Sequence, residues 1–476
     1  MAASLIAEKC GWNLERISRA VELVLDALIR GSVPKADVEN LALVELFQCS
    51  DNSCVPALDK DSVREIILTY KDTLGSYIEK LVGKNDMNTL LGLLQMLYDL
   101  SIEGVSKIVD DKVPRAYSGD KLLFAQINEI LASMLYADLE YDRAAERFDI
   151  AANYYREAGQ EDRALFMEAF RNIVKAEKLK EEASRLHEDN KHSEEEELIK
   201  QASRLYAESS TLFRKCSATI SEALVNAILS KCDAYEVLAN YYFTHGQVDE
   251  AEKYYNLCMS ELRLEYVGLS EEHRKLIELK ERTCRAFARL CRAIIEQKME
   301  LYEEAGDEFR ELVKEGYVED VMVELAAIAY KGAIDTAENL DDILRVYPKY
   351  IELVSLYTDR RIREKYGDFL NFLKELRVRP LASISKDIRI DEYALKMYIA
   401  YKILIDVARQ LNVNTSIVPE VLTLVAGLGL DPLTVSGAEL RMEVARTSLE
   451  IDTAKLDLIC KLLDEYHKKV MELLFS

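Results

Sequence analysis

The chain predicts an all-α fold, and three observations carry that prediction. Only 7 prolines occur in 476 residues, and none lies between Arg115 and Tyr347, so nothing in that span removes a helical N–H. Apolar residues recur near the 3.6-residue period of an amphipathic helix along most of the chain. Small and aromatic residues also alternate at a repeated spacing, most clearly in Tyr235–Cys258, YEVLANYYFTHGQVDEAEKYYNLC. A hydrophobic content of 49% with 31% charged residues is that of a globular protein, not a disordered one.

The elements follow in order. Asn13 is placed to cap a helix running through Leu14, Ile17, Val21, Leu23 and Leu28, which Gly31 and Pro34 end. Ala36–Phe47, Val63–Val82 and Met87–Ile108 give three more amphipathic stretches, separated by loops at Gln48–Pro56 and Gly83–Asp86. Asp110–Gly119, which contains Pro114, closes this region. In Tyr235–Cys258, Tyr235, Leu238, Ala239 and Tyr242 mark a first helix and His245-Gly246-Gln247 a turn in which Gly can take a positive φ. Ala251, Tyr255 and Cys258 mark the second helix. Leu131, Ala132, Leu135, Tyr141, Ala144, Phe148 and Ala151 repeat the pattern, and Ala152, Tyr155, Gly159 and Ala164 repeat it more loosely. The helix Ala144–Ala158 therefore serves two neighbours, as in a stacked array. Ala293, Tyr302, Ala305, Phe309 and Leu312 match again, without a good first-helix half.

Residues 163–229 read as two long charged helices joined near Glu188–Ser193. The acidic run Glu194–Glu197 then opens the second helix, where carboxylates suit the dipole, and reads as a solvated face. Val321–Ala337, Leu340–Val346 and Tyr350–Tyr357 continue as helices. Pro380 and the following ASISKDIRID mark a second boundary. Beyond it come Tyr393–Leu411, Val418–Leu428 and a long amphipathic helix Leu440–Leu474, punctuated by Asp431-Pro432 and Gly437. The domains expected are an N-terminal helical region (1–112), a repeat domain (113–379) and a C-terminal helical domain (380–476).

On these residues the chain resembles tetratricopeptide (TPR)-like helical-repeat proteins. The phrase AANYYREAGQEDRA and the long helices are similar to the subclass that includes the soluble NSF attachment proteins. The resemblance implies a right-handed superhelix of antiparallel helical hairpins with flanking helical regions, binding protein segments on a concave face. Spacing departs from a regular ladder: 107 positions separate Ala144 from Ala251 and 54 separate Ala251 from Ala305, against about 34 per regular repeat. Chaperone-binding members clamp a C-terminal carboxylate with paired Lys and Asn. Here Asn240 stands at the Asn position, but Glu236 occupies the Lys position, so the chain departs from that clamp.

A formal net charge of −23 argues against nucleic acid or an anionic membrane as the main partner. The opening MAASLIAEKCGW has no basic region followed by an apolar core, and the apolar helix around Tyr398–Ala408 is broken by Lys402 and Asp406. A cytoplasmic protein without membrane insertion is therefore expected. Nine scattered cysteines read as core thiols. Eight glutamines against abundant Glu, Lys, Ile and Tyr lean toward a thermophilic source, where a cytosolic disulfide becomes feasible. Cys49 and Cys54 are the pair to inspect, with buried or free thiols the favoured expectation.

Chemistry-bearing motifs are scarce. Histidines 187, 192, 245, 273 and 467 look too scattered for a metal site, and no Cys-x2-Cys, phosphate loop or nucleophile elbow is present. No cofactor, metal or catalytic residue is expected. The expected function is a non-catalytic scaffold for a protein segment, with Tyr136, Asn240 and Phe243 as contact candidates that offer stacking area and hydrogen bonds. The alternative is an oligomeric adaptor or regulatory subunit whose C-terminal helical domain binds a ligand or partner; an all-α enzyme ranks third. Arg360, Arg361, Arg363 and Lys365 form a basic cluster suited to a phosphate or acidic partner, although pairing with the chain's own surplus carboxylates is the favoured reading.

Overall fold

A computed structural model describes residues 2–263, 269–315, 320–338, 340–388, 390–447 and 451–474. Among them lie 23 α-helices and three short strands, and consecutive helices pack against one another. The chain divides into two compact units, Met1–Tyr241 with Ser260–Ile277, and Tyr242–Met259 with Glu278–Ser476.

The first unit begins with α1 (Ala2–Lys9) and α2 (Leu14–Arg30). Asn13 caps α2 as its spacing predicts, its side chain accepting from the Arg16 N–H at 3.0 Å, and Gly31 ends the helix at φ +83°. Beyond this the expected helix Ala36–Phe47 shrinks to α3 (Lys35–Asn40). A three-stranded antiparallel sheet replaces the rest: β1 (Val33–Pro34), β2 (Phe47–Cys49) and β3 (Ser53–Pro56), in the order β1-β3-β2. Strands of two to four residues are too short to display period-2 alternation, so periodicity gives no warning of them.

The expectation of free thiols at Cys49 and Cys54 is corrected here, because the two form a disulfide. Ser50 N–H donates to the Ser53 carbonyl at 2.8 Å and closes the hairpin, so the next pair outward, Cys49 and Cys54, is a non-hydrogen-bonded pair. Such pairs bring Cα atoms to about 4.5 Å; here the separation is 4.0 Å.

Next come α4 (Lys60–Thr69), α5 (Lys71–Gly83), α6 (Met87–Asp99) and α7 (Ser106–Lys112). The expected Val63–Val82 helix is thus broken at Tyr70, and Met87–Ile108 at Ser101 and Gly104, both with positive φ. The second break is held from a distance: the Asp138 carboxylate accepts from the backbone N–H of Gly104 at 3.1 Å and of Ser106 at 3.4 Å. It thereby caps α7 from a residue 32 positions away.

The hairpins follow as α8 (Lys121–Ala137), α9 (Tyr141–Glu157), α10 (Glu161–Glu188) and α11 (His192–Cys216), each packed on the next. As the sequence predicts, α9 packs on both α8 and α10, with Ala144, Phe148 and Ala151 buried. One continuous apolar core runs from Ala2 to Ala227, passing the Pro114 segment without interruption. What fixes that segment is Arg147, fully buried in the middle of α9. Its Nε donates to Asp110 Oδ1 at 2.6 Å. One terminal nitrogen donates to the Pro114 carbonyl and Asn128 Oδ1, the other to the Asp110 and Val113 carbonyls, all within 2.9 Å. All five guanidinium N–H groups are therefore used, as a buried arginine requires. Asp110 also receives Arg115 at 2.9 Å and Arg143 at 3.0 Å.

The division between units passes through α12 (Ala223–Thr244), α13 (Val248–Leu262) and α14 (Glu271–Glu296). The predicted turn is present, with Gly246 at φ +71°. The second unit continues as α15 (Met299–Lys314), α16 (Asp320–Asp335) and α17 (Leu340–Tyr366). Where two helices were expected, α17 is one, running through Pro348. The ring's fixed φ is itself helical, and burial of Tyr347, Ile351 and Leu353 offsets the lost hydrogen bond. Then follow α18 (Phe369–Val378), α19 (Leu381–Asp387), α20 (Glu392–Gln410), α21 (Ile417–Gly427), α22 (Gly437–Thr447) and α23 (Thr453–Leu474). The single helix expected over Leu440–Leu474 is therefore two, with residues 448–450 of that span outside the described residues. The core of this bundle runs from Tyr347 to Val470. Two of its buried tyrosines end on acceptors: Tyr466 donates to the Pro432 carbonyl at 2.6 Å, and Tyr398 donates to Asp359, which also receives Lys402 at 3.0 Å.

Candidate interaction surface

An open cleft of about 700 Å³ lies in the first unit, walled by α6 and α8 and floored near the α9–α10 turn. Leu91 and Gln95 come from α6, Leu122, Gln126 and Ile130 from α8, and Tyr155, Gln160 and Arg163 from the turn side. The helical period puts Leu122, Gln126, Glu129 and Ile130 on one face of α8, while Phe124, Ile127 and Leu131 go into the core. The charges in the cleft are already engaged with each other. Tyr155 donates its hydroxyl to Glu129, which also pairs with Arg163 at 3.5 Å. Burial and then the Glu129 charge push the Tyr155 phenol far up, so it remains a donor across the physiological range. The remaining polar lining is carboxamide: Asn88, Gln95, Gln126 and Gln160. Amides beside aliphatic side chains can bond the backbone of an extended peptide while covering its apolar side chains.

The three contact candidates from the sequence fall in different settings. Tyr136, on α8, is half-buried against the core, its ring centroid 6.2 Å from that of Tyr141. Burial, followed by the Glu177 charge, pushes its phenol up to about 12. Asn240 is exposed on α12 in the first unit, whereas Phe243 belongs to the second. There Phe243 is partly buried, edge-on to Phe287 with centroids 6.4 Å apart. Of the basic cluster, Arg360 pairs with Glu364 at 3.0 Å, Arg361 with Glu364 at 3.5 Å while lying over the Tyr357 ring, and Lys365 with Asp387 at 3.5 Å. Arg363 is exposed, with no ion pair among the described residues. Internal pairing thus accounts for three of the four, as the charge balance led one to expect.

Sequence reasoning missed two arrangements. The cleft combines α6 and α8, separated in sequence by the 100–120 segment that holds the short α7, and no motif signals it. The other is a convergence of His187, at the end of α10, with His192 and Glu195 at the start of α11. The spacing His-x4-His-x2-Glu across an expected turn was the available signal.

Compared with known proteins, the chain matches no family model and no curated protein. Fold and site are therefore all that define its class: an all-α protein of sequentially packed helices with an open, amide-lined cleft. Among the described residues no helix is long and apolar enough to cross a membrane.

Proposed function

We propose that the chain is a non-catalytic scaffold, TPR-like with its hairpins winding as a right-handed superhelix, that binds an extended segment of a partner protein. The observation that carries this reading is the cleft between α6 and α8, which pairs aliphatic side chains with carboxamides and leaves its own charges mutually neutralised. A net charge of −23 favours a segment carrying basic residues, through faster encounter more than through final affinity. On this reading the protein acts in the cytoplasm. The Cys49–Cys54 disulfide, together with only eight glutamines, fits the cytosol of a thermophile.

The test is cross-linking and mass spectrometry in native lysate with the full chain, Gln126→Ala plus Ile130→Ala, and Asn240→Ala plus Phe243→Ala. A partner peptide cross-linked beside α8 should disappear with the first pair at unchanged thermal stability. Retention of that peptide by the first pair and its loss with the second would move the site to α12. Retention by both would remove the scaffold reading for either face.

A second reading, an oligomeric adaptor, is favoured by the exposed apolar residues of α18, Leu370 (67% exposed) and Val378 (76%). Light scattering across a dilution series separates the two, since a monomer at every concentration counts against the adaptor.

A further inference from the structure

The sequence presents the acidic run Glu194–Glu197 as a solvated face, and Glu194 and Glu197 are indeed exposed. Glu195 is not. It is only 5% exposed, and a buried carboxylate is costly unless it is paired. Two imidazoles of its own hairpin face it. His187 Nδ1 lies 3.2 Å from Glu195 Oε1 and 3.3 Å from Oε2, and His192 Nδ1 lies 3.4 Å from Oε2. The ring centroids of the two histidines are 5.9 Å apart.

The backbone fixes this convergence. Asn190 takes the left-handed conformation at φ +57°, its N–H bonding the His187 carbonyl and the Lys191 N–H the Leu186 carbonyl. The chain reverses there, and α11 begins at His192, one turn before Glu195. The i,i+3 relation on α11 sets His192 beside Glu195, while the reversal returns His187 to the same spot. The imidazoles remain about half exposed, at 49% and 52% of their side chains, so the site is open to an ion from solvent.

The separations are informative. A charge-assisted N–H···O⁻ bond settles near 2.7–2.9 Å, shorter than any of these three. In a tetrahedral zinc site each N or O donor lies about 2.0–2.2 Å from the ion, which places donors about 3.3 Å from one another. The 3.2–3.4 Å separations of the two Nδ1 atoms from the Glu195 oxygens are compatible with that donor spacing. One donor atom from each of His187, His192 and Glu195 lies within 4.8 Å of the others.

We propose that His187, His192 and Glu195 form a binding site for a divalent cation of the zinc class, which clips the α10–α11 turn. Two imidazoles and one carboxylate are a ligand set that zinc accepts, completing its shell with water or a further side chain. Magnesium and calcium, which prefer all-oxygen shells, are disfavoured by the same donors. The ion neutralises the buried carboxylate and stiffens the hairpin turn at the point where α10 gives way to α11.

The test is titration of the full, chelator-stripped chain with Zn²⁺ by calorimetry and with Co²⁺ by visible absorption. The wild type should bind one equivalent at this site and show ligand-field bands without a thiolate-to-cobalt charge-transfer band, which separates the site from the cysteines. His187→Ala and His192→Ala should each weaken that binding by about 10-fold or more. Both substitutions lie at half-exposed positions where folding should be retained, and circular dichroism checks it. Should Glu195→Gln unfold the hairpin, the two histidine variants still decide the matter. Absence of Zn²⁺ binding in the wild type, or binding unaltered in both histidine variants, overturns the proposal.

Discussion

In α9, Ala144 and Phe148 are buried against neighbouring helices; in α15, Ala305 and Phe309 stand at the same spacing, equally buried. The signature is shared, but the surrounding contacts are not. The α8–α9 hairpin buries a charge, Arg147, and satisfies every one of its N–H groups with Asp110, Asn128 and three carbonyls from the 110–114 segment. The α15–α16 hairpin instead removes side chains. Gly306 of α15 lies under the Tyr330 ring, and Gly332 of α16 lies under the Tyr302 ring, where an added Cβ would come within 2.7 and 2.5 Å respectively. α15 and its C-cap Glu315 meet α14 through Arg285–Glu308 at 2.8 Å and Arg282–Glu315 at 2.6 Å. Position-matched small and aromatic residues therefore set how closely two helices approach. What locks the pair differs, a polar node in one unit and interlocked rings in the other.

The largest way to break this contrast is at Arg147. Arg147→Met leaves Asp110 buried and stripped of its closest partner, so a loss of about 3–5 kcal/mol is expected in urea unfolding followed by circular dichroism. Because the node also ties down the 110–114 carbonyls, protease cleavage should appear near Pro114. A loss below about 1 kcal/mol would mean that the node is incidental.

Smaller effects are expected in the second hairpin. Gly332→Ala should cost about 1–3 kcal/mol by overpacking against Tyr302, and adding Tyr302→Leu should return part of it. Equal costs with and without the Tyr302 change would show that helix backbone, not ring packing, governs the site.

The smallest effect concerns the helix starts. Asp120 caps α8 by accepting from the Leu123 N–H at 3.1 Å, while Lys298 precedes α15 without a side-chain cap. Asp120→Ala should therefore cost about 1 kcal/mol and Lys298→Ala no more than about 0.5 kcal/mol in the same urea unfolding experiment. Similar shifts for both would remove the distinction.

Much of the helix pattern was legible from local signals. Asn13 and Gly31 bound α2, Gly246 marks a turn, and Ala144–Ala158 lies between two partners, all through interactions spanning a few residues. The candidate cleft was not legible, because its walls α6 and α8 meet only after the irregular stretch around Gly104 and Pro114 is folded back. Tyr136 illustrates the same gap. Helical spacing places it beside packing positions but does not say that Tyr141 and the core will half-bury it.

By itself the sequence determined the all-α class, well-capped helix ends such as those of α2, and the small-x3-aromatic pairs, since these depend on period, capping and steric size within one or two turns. Only the tertiary structure decided that Cys49 and Cys54 face each other across a hairpin, and that Asp138 caps a helix 32 residues before it. It also decided that Arg147 reads the carbonyls of a distant loop and that Glu195 turns from an acidic face toward two histidines. Each of these joins polar groups whose energy depends on the partner at the far end of the bond. No local propensity encodes that partner until the chain has brought the two ends together.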